Sequence, residues 1–104
     1  MLHFKVGVGV AGLMPQMLLA LRVVEDQMNL LHCDTIVTSC NDSQHMSGSK
    51  HYLGAAMDFR TKHTGRSKAV SDVIKKELGP LGFDVILEDL GGPNEHLHVE
   101  YDPK

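Results

Sequence analysis

"HLHVEY", residues 96 to 101, is the stretch that decides the fold. Leu97, Val99 and Tyr101 alternate with His96, His98 and Glu100. A period of two places one set on a core and the other on the opposite face of a strand. The stretch just before it, "FDVILED" (83–89), reads as a second strand, and "LGGPNE" (90–95) as the turn region between them. "AAMDFR" (55–60) alternates in the same way, with Met57 and Phe59 toward the core and Ala56, Asp58 and Arg60 away from it. "CDTIVTSC" (33–40) is short and β-branched, the signature of a buried strand. Between these two, "NDSQHMSGSK" (41–50) is polar or small throughout and reads as a loop.

Two segments carry helical spacing instead. In residues 14 to 31, Met14, Met17, Leu18, Leu21, Val24, Met28 and Leu31 form one apolar stripe, and Pro15 suits a first turn. In residues 67 to 78 the stripe is Val70, Val73, Ile74 and Leu78, with Ser67 as the expected N-cap and Gly79-Pro80 as the stop. The order helix, strand, strand, helix, strand, strand predicts an α+β domain. Its helices pack on one face of a small, mostly antiparallel sheet.

The bulk properties narrow the function. A chain of 104 residues fits one domain, and 42% hydrophobic with 22% charged residues is ordinary for a globular protein. The net charge of −3 and the absence of a basic stripe argue against nucleic acid as a partner. No apolar run reaches the ~20 residues of a membrane span. The apolar N-terminal segment has only Lys5 ahead of its main run, is broken by Pro15 and Gln16, and shows no small-residue cleavage site. It is therefore not read as a signal peptide. Cys33 and Cys40, seven apart across a strand, point to opposite faces, so no disulfide is expected.

Seven histidines in so short a chain ask for an explanation, and two strands supply one. If the strands at 55–60 and 96–101 are close, Asp58 and His98 share a surface. His51 lies seven residues before Asp58, and Gly54 allows the chain to turn and bring it over the sheet. A His, Asp, His set suits one zinc ion, with a fourth position left for water. Glu95, three residues before His98, stands at the mouth of the strand as a candidate general base. It could accept a proton from a water activated by the metal and pass it to a leaving amine.

These residues resemble a known family. "S-K-H-Y-L-G-A-A-M-D" (49–58) matches the S-x-H-x-x-G-x-A-x-D motif of the zinc D-Ala-D-Ala carboxypeptidases and dipeptidases, which include phage L-alanyl-D-glutamate endolysins. "E-H-L-H-V-E-Y" (95–101) matches the family's second motif, E-x-x-H. The hedgehog signalling domain shares this zinc scaffold, and the likeness extends from about residue 12 onward. The resemblance implies a hedgehog/D-Ala-D-Ala peptidase-like fold. It makes His51, Asp58 and His98 the ligands of one Zn2+ and Glu95 the catalytic base. It further implies hydrolysis of peptidoglycan stem peptides by a monomer. Such a protein would stay in the cytoplasm until released to the cell wall, as a phage or prophage lysis protein is. The alternative is a hedgehog-like zinc-binding module with little or no activity.

One departure stands out. The family carries an arginine soon after the "TS" strand, where it holds a substrate carbonyl or carboxylate; here Cys40, Asn41, Asp42 and Ser43 follow. Ser43, Gln44, His45 and Arg60 are the candidate replacements. His45 also sits in a decoy, "S-Q-H-M-S-G", that lacks the following A-x-D. His96, on the same face as His98, is either a support for the ligands or an exposed neighbour.

Overall fold

The computed structural model describes residues 1–10, 12–40 and 54–103. They form one five-stranded sheet with two helices. In chain order the elements are β1 (Leu2–Phe4), α1 (Gln16–Leu30), β2 (Thr35–Ser39), β3 (Ala56–Phe59), α2 (Ser67–Leu78), β4 (Phe83–Glu88) and β5 (His96–Tyr101). The sheet order is β1-β2-β3-β5-β4. β2 with β3, β3 with β5 and β4 with β5 are antiparallel, but β1 runs parallel to β2. The sheet is therefore mixed rather than all antiparallel, because a three-residue N-terminal strand joins its edge.

α1 buries Met17, Ala20, Leu21, Val24 and Met28, a stripe spaced at three and four residues. The helix begins two residues later than the apolar pattern suggests, with Pro15 in the cap position in helical geometry. It ends in a Schellman closure. The Cys33 amide donates to the Met28 carbonyl (2.9 Å) and the His32 amide to the Asn29 carbonyl (3.0 Å), while His32 takes φ +56°. α2 buries Val70, Ser71, Ile74 and Leu78. Both stripes read from sequence are one residue too wide: Leu18 is 60% exposed and Val73 41%. They flank the contact arc rather than lying in it, and Ala20 and Ser71 pack there instead.

The core lies between the helices and one face of the sheet. Val37, Met57, Phe59, Val85, Leu97 and Val99 supply the strand side. Met17, Val24, Met28, Ile74 and Leu78 supply the helix side, and all five are fully buried. Among the described residues, Phe59 is the largest fully enclosed side chain. By the exposed-to-buried reference, such a ring contributes roughly 1.5–3 kcal/mol. Cys33 and Cys40 are free thiols, and Cys40 is completely buried.

Register sets up everything that follows. Ser39 pairs with Asp58, Asp58 with His98, and His98 with Ile86, one row across four strands. The next row holds Ala56, Glu100 and Asp84. Because neighbours alternate faces, these polar rows lie opposite the helices. β3 is entered through Gly54, whose φ is +71°. A Cβ at that position would collide with the backbone carbonyl of Gly12, and the Gly54 carbonyl accepts the Met14 amide at 2.8 Å. The glycine is thus required twice, for its conformation and for the close approach.

Candidate metal centre and adjoining cleft

β3 and β5 carry the pair at the centre of the site. Their register puts Asp58 directly opposite His98, where Cβ atoms sit about 4.5–5.5 Å apart. The side chains close that gap: His98 Nδ1 lies 2.8 Å from Asp58 Oδ1. The other ring nitrogen, Nε2, lies 2.8 Å from Glu100 Oε1, two residues along the same strand. Both carboxylates and the imidazole are less than a fifth exposed. Acids on both nitrogens favour the protonated ring. The Asp58 hydrogen bond contributes most and burial opposes it; Glu100 adds to the rise, and the His98 pKa is pushed up from 6.5 to about 9.

This arrangement fits a metal in two ways. Zinc ligands at 2.0–2.2 Å in a tetrahedron stand roughly 3.3 Å from one another. Asp58 Oδ1 and His98 Nδ1 at 2.8 Å therefore need to open by only about 0.5 Å to share an ion. The bond from Nε2 to Glu100 also fixes which nitrogen is offered, the usual support for a ligating histidine. His51, the third ligand the resemblance implies, lies outside the described residues, as do Gln44 and His45. Among the described residues the one cluster of three potential ligands is Asp84, Glu100 and Asp102. Three carboxylate oxygens are a poorer match to zinc than a set containing imidazole.

Glu95 sits just before β5 and is held from three directions. Oε2 accepts the Thr61 hydroxyl at 2.7 Å and the Ser67 hydroxyl at 2.5 Å, and Oε1 accepts the Gly91 amide at 3.0 Å. These donors keep the carboxyl below the usual glutamate range, the Ser67 bond most of all. Ser67 is consequently not the N-cap expected from sequence. Arg66 holds the cap position without a side-chain bond, and Ser67 turns its hydroxyl to Glu95. Nothing local signals this, because the acceptor is 28 residues away. Thr61, completely buried, was likewise invisible in the sequence.

Asp58 and Glu95 open onto a cleft of about 820 Å³. Lys5, Thr38, Arg60, Lys62, His63 and His96 are among the other residues that line it. Arg60 and His96, both expected near the substrate, do border this space. His96 is tied down at its edge: Nδ1 donates to the Asn94 carbonyl at 2.7 Å, and Nε2 is 3.5 Å from Glu88. Lys5 and Lys62 are cleft residues that the motif reading did not reach. The cleft is thus a polar space beside the Asp58–His98 pair and the fixed Glu95 carboxylate.

A scan against protein-family models, a search of the curated proteins and a search of the solved structures each return no match. No helix among the described residues is long and apolar enough to cross a membrane.

Proposed function

We propose that this chain is a zinc-dependent metallopeptidase that hydrolyses peptide bonds in bacterial peptidoglycan, at a position involving a D-amino acid. The observation that carries the reading is the convergence of Asp58 Oδ1 and His98 Nδ1 across paired strands, beside a cleft that Glu95 shares. With His51 they form the ligand set; a zinc ion held there would supply a Lewis acid for the scissile carbonyl and its attacking water.

The chain's own residues do the rest. Glu100 keeps the His98 ring from rotating, so Nδ1 stays aimed at Asp58. Glu95 Oε2 is occupied by two hydroxyl donors, whereas Oε1 carries only the Gly91 amide and retains a lone pair. Oε1 is thus the atom that accepts a proton from the attacking water and returns it to the leaving amine. The depressed pKa keeps Glu95 ionised at neutral pH, ready to accept, while making it a weaker base than a free glutamate.

That weakness favours a second reading, a zinc-holding recognition module in which Glu95 is only a tether. Release of new amino groups from purified peptidoglycan separates the two. Zinc-dependent release, lost in a Glu95→Gln variant that remains folded and metallated, is the outcome of the peptidase reading. A fully metallated wild type that is inert on wall peptides is the outcome of the module.

A further inference from the structure

We infer that this chain forms a two-fold dimer through the groove between α1 and α2, with Leu30 of each copy seated in the groove of the other. The helices cover the face of the sheet away from the metal pair, so this surface is separate from the cleft and independent of the peptidase reading. Leu30 ends α1 and is 73% exposed. It borders a hollow of about 250 Å³ that Leu31, Ala69, Val70 and Val73 also line. Val73 is itself 41% exposed. A second hollow, about 240 Å³, shares Leu30, Leu31 and Arg66 with the first and carries the groove on to His32 and Thr64. A protruding leucine and an apolar hollow thus stand side by side on one face.

The charges on this face complement one another. Arg66 borders both hollows, and its guanidinium has no carboxylate partner among the described residues. Asp26 lies one helical turn before Leu30, on the same side of α1. Its Oδ1 accepts from the exposed Arg22 side chain at 3.2 Å, which leaves Oδ2 open to a second donor. A copy that inserts Leu30 into the groove carries Asp26 in beside it, within reach of the other copy's Arg66. Knob and hollow, cation and acid all belong to the one chain. A two-fold axis between Leu30 and the hollow therefore pairs each feature twice. A head-to-tail contact would leave a knob and a hollow bare at its ends. Two leucines with their surrounding groove make a small interface, of the size found in weak, transient pairs. The monomer that the resemblance implies is then the dilute form.

Sedimentation equilibrium of the full chain, with zinc and again in chelator, tests this over concentrations from about 10 μM to about 1 mM. Wild type is expected to dimerise with a Kd on the order of 100 μM in both conditions, because the groove lies away from the cleft. Leu30→Asp should weaken the dimer about tenfold or more. Arg66→Asp should weaken it about fivefold, and adding Asp26→Arg should restore it, since the pair is then reversed rather than lost. Leu18→Asp, the same change at another exposed leucine of α1, should leave the Kd within about twofold. All four positions are exposed, so the variants should fold, and a thermal melt checks it. A chain that stays monomeric at about 1 mM overturns the inference. So does a dimer that forms only with zinc, one that survives Leu30→Asp, one that Leu18→Asp disrupts equally, or one that the reversed pair fails to restore.

Discussion

Replacing Glu95 should reveal a tether before it reveals a catalyst. Its carboxylate accepts three hydrogen bonds, joining the turn before β5 to Thr61 and to the first residue of α2. A bond to a charged acceptor contributes roughly 1.5–3 kcal/mol, and solvent at a half-exposed site lowers that. The three share one anion and do not add, so Glu95→Ala is expected to cost about 2–3 kcal/mol. For a domain near 100 residues this lowers Tm by roughly 10–15 °C. The coupling is sharper than the total. Ser67→Ala should cost about 1 kcal/mol in wild type and close to nothing once Glu95 is alanine. The effect must also follow pH with a defined sign. The folded pKa lies below the unfolded value of 4.5, so the stabilisation is present above pH 4.5 and lost as pH falls through the folded pKa. Urea unfolding of the four cycle members in chelator, at pH 7 and again at acid pH, measures all of this. A Glu95→Ala protein within 0.5 kcal/mol of wild type, or strict additivity with Ser67→Ala, refutes the tether.

Three further outcomes follow from the same geometry. Glu100→Gln removes the acid that holds His98 Nε2 and should weaken zinc binding about 10–100-fold in chelator competition without abolishing it. In the metal-free protein the His98 pKa is raised from 6.5 to about 9, so its stabilisation is complete below pH 6.5 and lost as pH rises through 9. Screening at the open sheet face reduces the ideal figure of roughly 3 to about 2 kcal/mol, read as the difference in melting between wild type and His98→Gln from pH 6 to 10. Gly54→Ala places a methyl on the Gly12 carbonyl at a positive φ and should destabilise by more than about 2 kcal/mol in denaturant melts.

What the sequence revealed depended on how local the cause was. β5 was legible to the residue because six positions alternate without interruption. The opposition of Asp58 and His98 followed from two such alternations, but only the pairing of β3 with β5 brought them to 2.8 Å. β1 was missed because three residues carry no period; it exists through its parallel bonds to β2. Leu18 and Val73 were assigned to the core because hydropathy marks an apolar arc without marking how much of it a neighbour covers. Ser67 looked like a cap because its true partner, Glu95, arrives from the far side of β4. The triple hold on Glu95 and the presence of Lys5 and Arg60 in one cleft are likewise products of strand order, which no local pattern encodes.

Asp58 and His98 are proposed as metal ligands. Zinc content per chain, measured after equilibrium dialysis on wild type, Asp58→Ala and His98→Ala, with His51→Ala for the third ligand, tests it most directly. One zinc per wild-type chain, and its loss in each variant that retains its fold, is the predicted result. Variants that keep a full equivalent of zinc, or a wild type that takes up none, would contradict the account.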